Sequence, residues 1–166
     1  VEHVPAAVYI DMADPDVSDG GRLAYMSPQI AGILGYGPNE LIDDPELWPS
    51  RIHPDDRASA IAAYDEHWRT GEPLRAEYRM LARDGSEVWV RDEAFAMADD
   101  TRSGRRVSQG LLVEITDRKR LESKLIHDAL HDSGANITEP LATKPWGLTQ
   151  FTVEDLDGNR FYFHRD

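Results

Sequence analysis

The sequence contains no cysteine, which excludes disulfide bonds, thiolate nucleophiles and cysteine-ligated zinc. Basic residues are scarce as well, since 18 lysines and arginines accompany 31 acidic residues and the formal net charge is −13. A field of that sign opposes binding to a phosphate backbone, so we expect no nucleic-acid partner. No apolar run approaches the roughly 20 residues of a membrane-spanning helix. We therefore expect a cytoplasmic protein with no membrane span in this chain.

The length of 166 residues limits the possible architectures. It suffices for one well-packed domain with an appendage and is short for two average domains, so we expect a single core. The first residue is valine, and the lack of an initiator methionine predicts that the chain is a piece of a longer protein.

Three strands are predicted between residues 75 and 115, because apolar residues recur there at every second position. Asp84 and Gly85 separate the first two strands and favour a tight hairpin turn. The residues expected to share a face are Ala76, Tyr78, Met80 and Ala82 in the first strand, Val88, Val90, Ala94 and Ala96 in the second, and Val107, Leu111, Val113 and Ile115 in the third. This arrangement predicts an antiparallel meander.

The N-terminal half predicts two strands, at residues 7–12 and 23–26, and then helices. The longest helix is expected over residues 54–70. The apolar stripes are Ile30, Ile33 and Leu34 on a short helix, and Ile61, Tyr64 and Trp68 on the long one. The stripe of the short helix should be buried, and the stripe of the long helix should face the sheet.

Three motifs in this order resemble the sensor domains of the PAS family. They are the strand-to-helix segment 25–41, the helix entry Ile52-His53-Pro54-Asp55-Asp56-Arg57, and the meander that ends in Glu114-Ile115-Thr116-Asp117. The resemblance covers residues 4–119. It implies an α+β fold with a mostly antiparallel five-stranded sheet, short helices on one face, a C-terminal signalling helix and a short β-hairpin tail. The implied domains are a PAS sensor domain at 1–117, a signalling helix and linker at 118–132, and the tail at 133–166.

PAS domains keep a ligand cavity between the long helix and the sheet. By this resemblance, the residues expected to line it are Ile30, Leu34, Ile42, Trp48, Ile52, Ile61, Tyr64, Tyr78, Met80 and Val90. The alternative is that these side chains fill a core without a cavity, since apolar stripes usually serve packing.

The ligand itself is unknown. We expect a small apolar ligand rather than flavin or haem. A cysteinyl-flavin adduct is excluded because the chain has no thiol. Haem would need an axial histidine such as His67, which the helical period places towards the rim of the stripe.

The segment after the last strand resembles the exit through which PAS domains signal. Its expected relay residues are Glu114, Thr116, Asp117 and Arg118, with Glu114 where the family usually has aspartate. The helix that follows carries an apolar stripe it cannot bury alone. We therefore expect a homodimer through Leu121, Leu125, Ile126 and Ala129, and an output signalling domain in the parent protein.

Residues 127–133 resemble the linker that precedes diguanylate cyclase domains. The catalytic loop of a cyclase does not follow, so this chain should not make or degrade cyclic dinucleotides, although a parent protein with such an output domain fits. His127 and His131 are four residues apart and could clip a metal on one helix face, but the linker resemblance favours no metal site.

The tail resembles half of a vicinal-oxygen-chelate module, the unit of glyoxalases, bleomycin-resistance proteins and dioxygenases. The resemblance rests on Pro145-Trp146-Gly147 and on the turn Asp155-Leu156-Asp157-Gly158-Asn159 between two aromatic strands. Such enzymes place a metal-binding glutamate three residues after the asparagine, where this chain has Tyr162. The exposed face of Phe151, Val153, Phe161 and Phe163 should need a cover.

These features predict a non-catalytic sensory or regulatory PAS domain that relays ligand or interaction state through its C-terminal helix, with no catalytic and no metal-ligating residues. Two alternatives stay open. One is a small-molecule-binding protein, or a metal-dependent glyoxalase-like or dioxygenase-like assembly, in which the tail completes a module with another chain. The other is a purely structural dimerisation module.

Overall fold

The computed structural model describes residues 5–13, 20–97, 106–143, 149–155 and 157–164. The chain divides into two compact units, Val1–Ile115 and Thr116–Asp166. The division falls close to residue 117, where the sensor domain was predicted to end. Each unit has its own sheet.

The first unit is built on a five-stranded sheet in the order β2-β1-β5-β4-β3, with every neighbouring pair antiparallel. The strands are β1 (Ala6–Ala13), β2 (Gly21–Met26), β3 (Leu74–Leu81), β4 (Glu87–Met97) and β5 (Val107–Glu114). The helices are α1 (Ile30–Leu34), α2 (Pro38–Asp43), α3 (Leu47–Arg51) and α4 (Pro54–Thr70), all between β2 and β3. The predicted α+β class with a five-stranded antiparallel sheet is confirmed.

One core joins the helices to one face of the sheet. Ile30 and Leu34 of α1 are fully buried in the same cluster as Tyr78 and Val90 of the sheet. The hairpin between β3 and β4 turns at Gly85, whose φ of 84° is a left-handed conformation that glycine adopts without strain.

The face of β5 that points towards the helices is not the face that carries most of its apolar residues. Ser108, Gly110 and Leu112 are buried towards the helices, whereas Leu111 is exposed. Val113 and Ile115 are buried outside the core cluster. Apolar residues therefore lie on both faces of this strand, and alternation alone does not identify its inner side.

The start of α4 is tied to β3 by a buried arginine. Arg79 is 1% exposed and holds Asp56 through Nε–Oδ2 at 2.9 Å and Nη2–Oδ1 at 2.6 Å. The Arg79 backbone N–H donates to the same carboxylate. His53 caps the helix by accepting a hydrogen bond from the Asp55 backbone N–H. These bonds fix the helix that covers the sheet.

The second unit consists of α5 (Thr116–Asp132) and a three-stranded antiparallel sheet in the order β6-β7-β8. Its strands are β6 (Asn136–Thr143), β7 (Thr149–Glu154) and β8 (Arg160–His164). β7 and β8 form the predicted hairpin, and β6 adds a third strand. The Phe151 and Phe163 rings stack at 5.0 Å, and the His127 ring meets Phe151 edge-on. No described helix has the length and apolar character to cross a membrane.

Candidate ligand-binding cavity

A cavity of about 450 Å³ lies in the first unit between the helices and the sheet. Its apolar wall includes Met26, Leu41, Trp48, Ile52, Ala60 and Leu74. A volume of this size is in the range of small-molecule sites in proteins. The helices therefore cover the sheet without filling the space above it.

The ten residues predicted to line the cavity divide into two groups. The structure places Trp48, Ile52, Ile61, Tyr64 and Tyr78 in the wall, with Ile61 38% exposed. Ile30, Leu34, Met80 and Val90 are fully buried in the packed core instead, and Ile42 of α2 is half-buried and outside the wall. A periodic apolar stripe identifies the side of a helix that faces the sheet, but not which of its residues line a cavity.

Two buried carboxylates in the wall were not predicted. Asp11 is 4% exposed and Asp92 is 5% exposed, and both line the cavity. The sequence carries a signal for each, because Asp92 falls in phase with the inward residues Val90 and Ala94, and Asp11 falls in phase with Tyr9. An acidic residue on the apolar phase of a strand indicates a site that alternation alone does not explain.

Asp92 accepts hydrogen bonds from two phenols. The Tyr9 hydroxyl donates to Oδ1 at 2.7 Å, and the Tyr78 hydroxyl donates to Oδ2 at 2.8 Å. Burial raises the pKa of Asp92 to about 6, against the lowering effect of these phenols. Both oxygens of this carboxylate therefore have a donor.

Asp11 is only half satisfied. The Tyr64 hydroxyl lies 3.0 Å from Asp11 Oδ2 and 3.2 Å from the Gly21 carbonyl oxygen, so one phenolic hydrogen has two acceptors. Burial is the main cause that raises the pKa of Asp11 to about 7; the Tyr64 hydrogen bond opposes this rise, and the charge of Asp92 contributes to it. Asp11 Oδ1 accepts no hydrogen bond from the described residues.

A glycine makes room for the phenol network. Tyr9 of β1 pairs with Gly110 of β5. A Cβ atom at residue 110 would lie 2.0 Å from the Tyr9 ring, well inside van der Waals contact. The ring thus crosses the neighbouring strand where that strand has no side chain, and this places its hydroxyl on Asp92.

His67 is buried at 4% exposure rather than at the rim where the helical period placed it. Its Nδ1 lies 2.5 Å from the Glu72 carbonyl oxygen, which only accepts, so Nδ1 carries the proton. Its Nε2 lies 2.8 Å from Ser108 Oγ. Both ring nitrogens are engaged and His67 is not among the described wall residues, so this histidine is unsuited to an axial haem ligand.

The predicted relay residues lie where β5 runs into α5. Glu114 is the last residue of β5, and its backbone N–H donates to the Pro5 carbonyl at 2.9 Å. Thr116, Asp117 and Arg118 form the first turn of α5. Asp117 accepts from Arg120 at 3.3 Å, and Arg118 pairs with Glu122 at 3.4 Å.

The predicted dimer residues form an exposed face on α5. Leu121, Leu125 and Ile126 are 61%, 68% and 53% exposed, and Ala129 is also exposed. The tail adds exposed aromatic side chains at Phe161, Tyr162 and Phe163. In the part of the chain that the structure describes, no group of three or more His, Asp or Glu side chains could hold a metal ion.

A protein-family model described as PAS fold matches residues 23–109. The White collar 2 protein of Neurospora crassa is 34% identical over 84 residues, which are 49% of this chain and 16% of that protein. The aryl hydrocarbon receptor nuclear translocator homolog of Drosophila melanogaster is 27% identical over 77 residues, 46% of this chain and 12% of that protein. The chain thus spans about a sixth or less of the curated relatives' length.

Solved structures with a similar fold include parts of two sensory proteins. The N-terminal domain of a diguanylate cyclase with PAS/PAC sensor from Marinobacter aquaeolei is 25% identical, with a TM-score of 0.57, and the match covers 69% of this chain and 98% of that one. A sensory box histidine kinase/response regulator from Burkholderia thailandensis is 29% identical, with a TM-score of 0.55, and the match covers 77% of this chain and 90% of that one.

Proposed function

The chain belongs to the PAS fold family, and on this basis we propose that its first unit is a non-catalytic sensor that binds a small molecule in the cavity. The observation that carries the proposal is the cavity of about 450 Å³ with an unpartnered oxygen of Asp11 on its wall. A domain with a purely structural role would gain stability by filling this space and satisfying that oxygen.

We propose that ligand occupancy is relayed through β1 and β5 to the exit at Glu114. Asp11 lies on β1, which is paired with β5 along its length. β5 ends at Glu114 and the chain continues directly into α5. A ligand shifts this exit only if it binds one arrangement of the strands more tightly than another.

We propose that the exposed face of α5 joins a second copy of the chain, and that an output domain in the parent protein reads this association. Large apolar side chains with more than half of their surface exposed support the proposal. The matched region is 16% of the White collar 2 protein, and the Marinobacter structure is the N-terminal domain of a diguanylate cyclase, so similar domains occur within larger proteins.

The cavity is tested by filling it. Ala60→Leu adds three carbons at the wall, whereas Ala62→Leu makes the same change at an exposed position of the same helix. We expect gently purified protein to carry a co-purifying small molecule in native mass spectrometry, and expect Ala60→Leu alone to lose it. Equal loading of the two variants, or no bound molecule in the wild type, would contradict a sensor cavity.

Association through α5 is tested with a matched pair on the same helix. Leu125→Gln removes an exposed apolar side chain, and Lys124→Gln changes its exposed polar neighbour to the same residue. Sedimentation equilibrium should show dimers of the wild type and of Lys124→Gln, and monomers of Leu125→Gln. A monomeric wild type at micromolar concentration would refute the dimer.

A further inference from the structure

Asp11 is the unsatisfied group of the cavity. Its side chain is buried and lies in the wall, yet only Oδ2 has a hydrogen-bond donor among the described residues. Asp92, the other buried acid, receives a phenolic hydrogen on each oxygen. Asp11 Oδ1 is not among the fully buried atoms that lack a partner, so it is accessible from the cavity, and the cavity has one position that suits a hydrogen-bond donor.

The charges of the wall indicate which donor suits this position. The described wall residues include three acids, Asp11, Asp92 and Glu46, and a single cation, Arg22. Arg22 is exposed and makes no ion pair with either buried aspartate. The wall is therefore short of positive charge, and a carboxylate or phosphate placed inside would be repelled.

The remainder of the wall is apolar. Leu23, Leu41, Ile52 and Leu74 line it, with the Trp48 indole among them. Burial of an apolar ligand against such a wall is favourable, whereas the wall offers few hydrogen bonds to a strongly polar ligand.

Resting on the proposed sensor function, we infer that the ligand is an apolar molecule bearing a protonated amine, with the amine donating to Asp11 Oδ1. The amine would supply both the missing hydrogen bond and the missing positive charge. Charge-assisted bonds of this kind are stronger than neutral ones, so the amine should bind at least tenfold better than the matching alcohol.

Three probes with one indole body separate these contributions. Tryptamine carries the amine, tryptophol the hydroxyl and indolepropionate the carboxylate. Calorimetric titration of the full chain at pH 8 should give the affinity order amine, alcohol, acid. The advantage of the amine over the alcohol should shrink several-fold in Asp11→Asn, where Asp92 and Glu46 are the acids that still face the cavity. It should persist in Asp65→Asn, which removes an exposed acid from α4.

A second measurement uses the wild type alone. The charged and titratable groups that face Asp11 around the cavity are Tyr9, Tyr64, Tyr78, Asp92, Glu46 and Arg22. Because burial raises the pKa of Asp11 to about 7 and that of Asp92 to about 6, both wall carboxylates gain protons between pH 8 and pH 5. The preference for the amine should shrink several-fold over this interval, while the affinity for the alcohol changes little.

The three affinities distinguish the possible outcomes. Equal affinities for amine and alcohol, or a preference that Asp11→Asn leaves undiminished, would overturn the amine and leave the cavity as a ligand site. Tighter binding of the acid would overturn the charge argument. Absence of binding by all three probes would overturn the inference, and the loading of Ala60→Leu would then show whether the sensor cavity itself also fails.

Discussion

Replacing Asp11 with asparagine should stabilise the first unit, and should do so more at pH 8 than at pH 5. The pKa of Asp11 rises from 3.8 to about 7 because its carboxylate is buried. At 1.36 kcal/mol per pKa unit, a shift of about 3 units makes the ionised group cost the folded state about 4 kcal/mol. Asparagine retains an oxygen acceptor for the Tyr64 hydroxyl and carries no charge.

The direction of the pH dependence follows from the raised pKa. The stability associated with protonated Asp11 is fully present below pH 3.8 and is lost as the pH rises through about 7. At pH 5 the folded carboxyl is mostly protonated while the unfolded one is mostly ionised, so the remaining cost is about 2 kcal/mol. We therefore expect the gain from Asp11→Asn to fall from about 4 kcal/mol at pH 8 to about 2 kcal/mol at pH 5.

The assay must follow the first unit by itself, since the chain has two compact units. Hydrogen exchange of β1, β4 and β5 peptides across a urea series gives that unit's free energy of unfolding at each pH. Asp65→Asn, on the exposed side of α4, should change it by less than about 0.5 kcal/mol at both pH values. A gain that is the same at pH 5 and pH 8, or a loss at pH 8, would refute the buried-charge reasoning.

Three further substitutions test the packing around the site, each by the same urea measurement. Gly110→Ala should cost about 3 kcal/mol, because its Cβ displaces the Tyr9 ring from the bond to Asp92; an unchanged stability would show that the ring moves freely. Asp56→Asn should cost about 3 kcal/mol by leaving buried Arg79 with only its 3.6 Å ion pair to exposed Asp55, whereas Asp55→Asn should cost less than about 1 kcal/mol. Ser108→Ala should cost about 1 to 2 kcal/mol by leaving His67 Nε2 unpaired. An unchanged free energy of unfolding would show that this hydrogen bond does not stabilise the unit.

The sheet was predictable because apolar and polar residues alternate along its strands and because Asp84-Gly85 marks a turn, in which Gly85 has the expected positive φ. The inner face of β5 was not predictable from its sequence. Its apolar residues divide between both faces, and the inner side is set by the fit of the Tyr9 ring over Gly110, a contact with a strand about a hundred residues earlier in the sequence.

Strand β6 shows a different limit. Pro140 lies within it, and proline lowers the expectation of a strand because it donates no ladder hydrogen bond. β6 is an edge strand, and its pairing with β7 is irregular between Glu139 and Ala142, which is where a proline is tolerated. Whether a proline is tolerated in a strand depends on which strands lie beside it, and a single sequence does not show that pairing.

The two proposals about the cavity have a common energetic basis in Asp11. An ionised, half-satisfied carboxylate lowers the stability of the empty unit, and a cationic ligand that pairs with it recovers part of that loss on binding. The loss falls on β1, whose partner β5 leads to Glu114 and then into α5. Binding would therefore tighten the strands that the exit depends on. If Asp11→Asn stabilises these strands without ligand, the ligand-free variant should form the same fraction of dimer as the ligand-bound wild type. If it forms the same fraction of dimer as the ligand-free wild type, the cavity is not coupled to the exit.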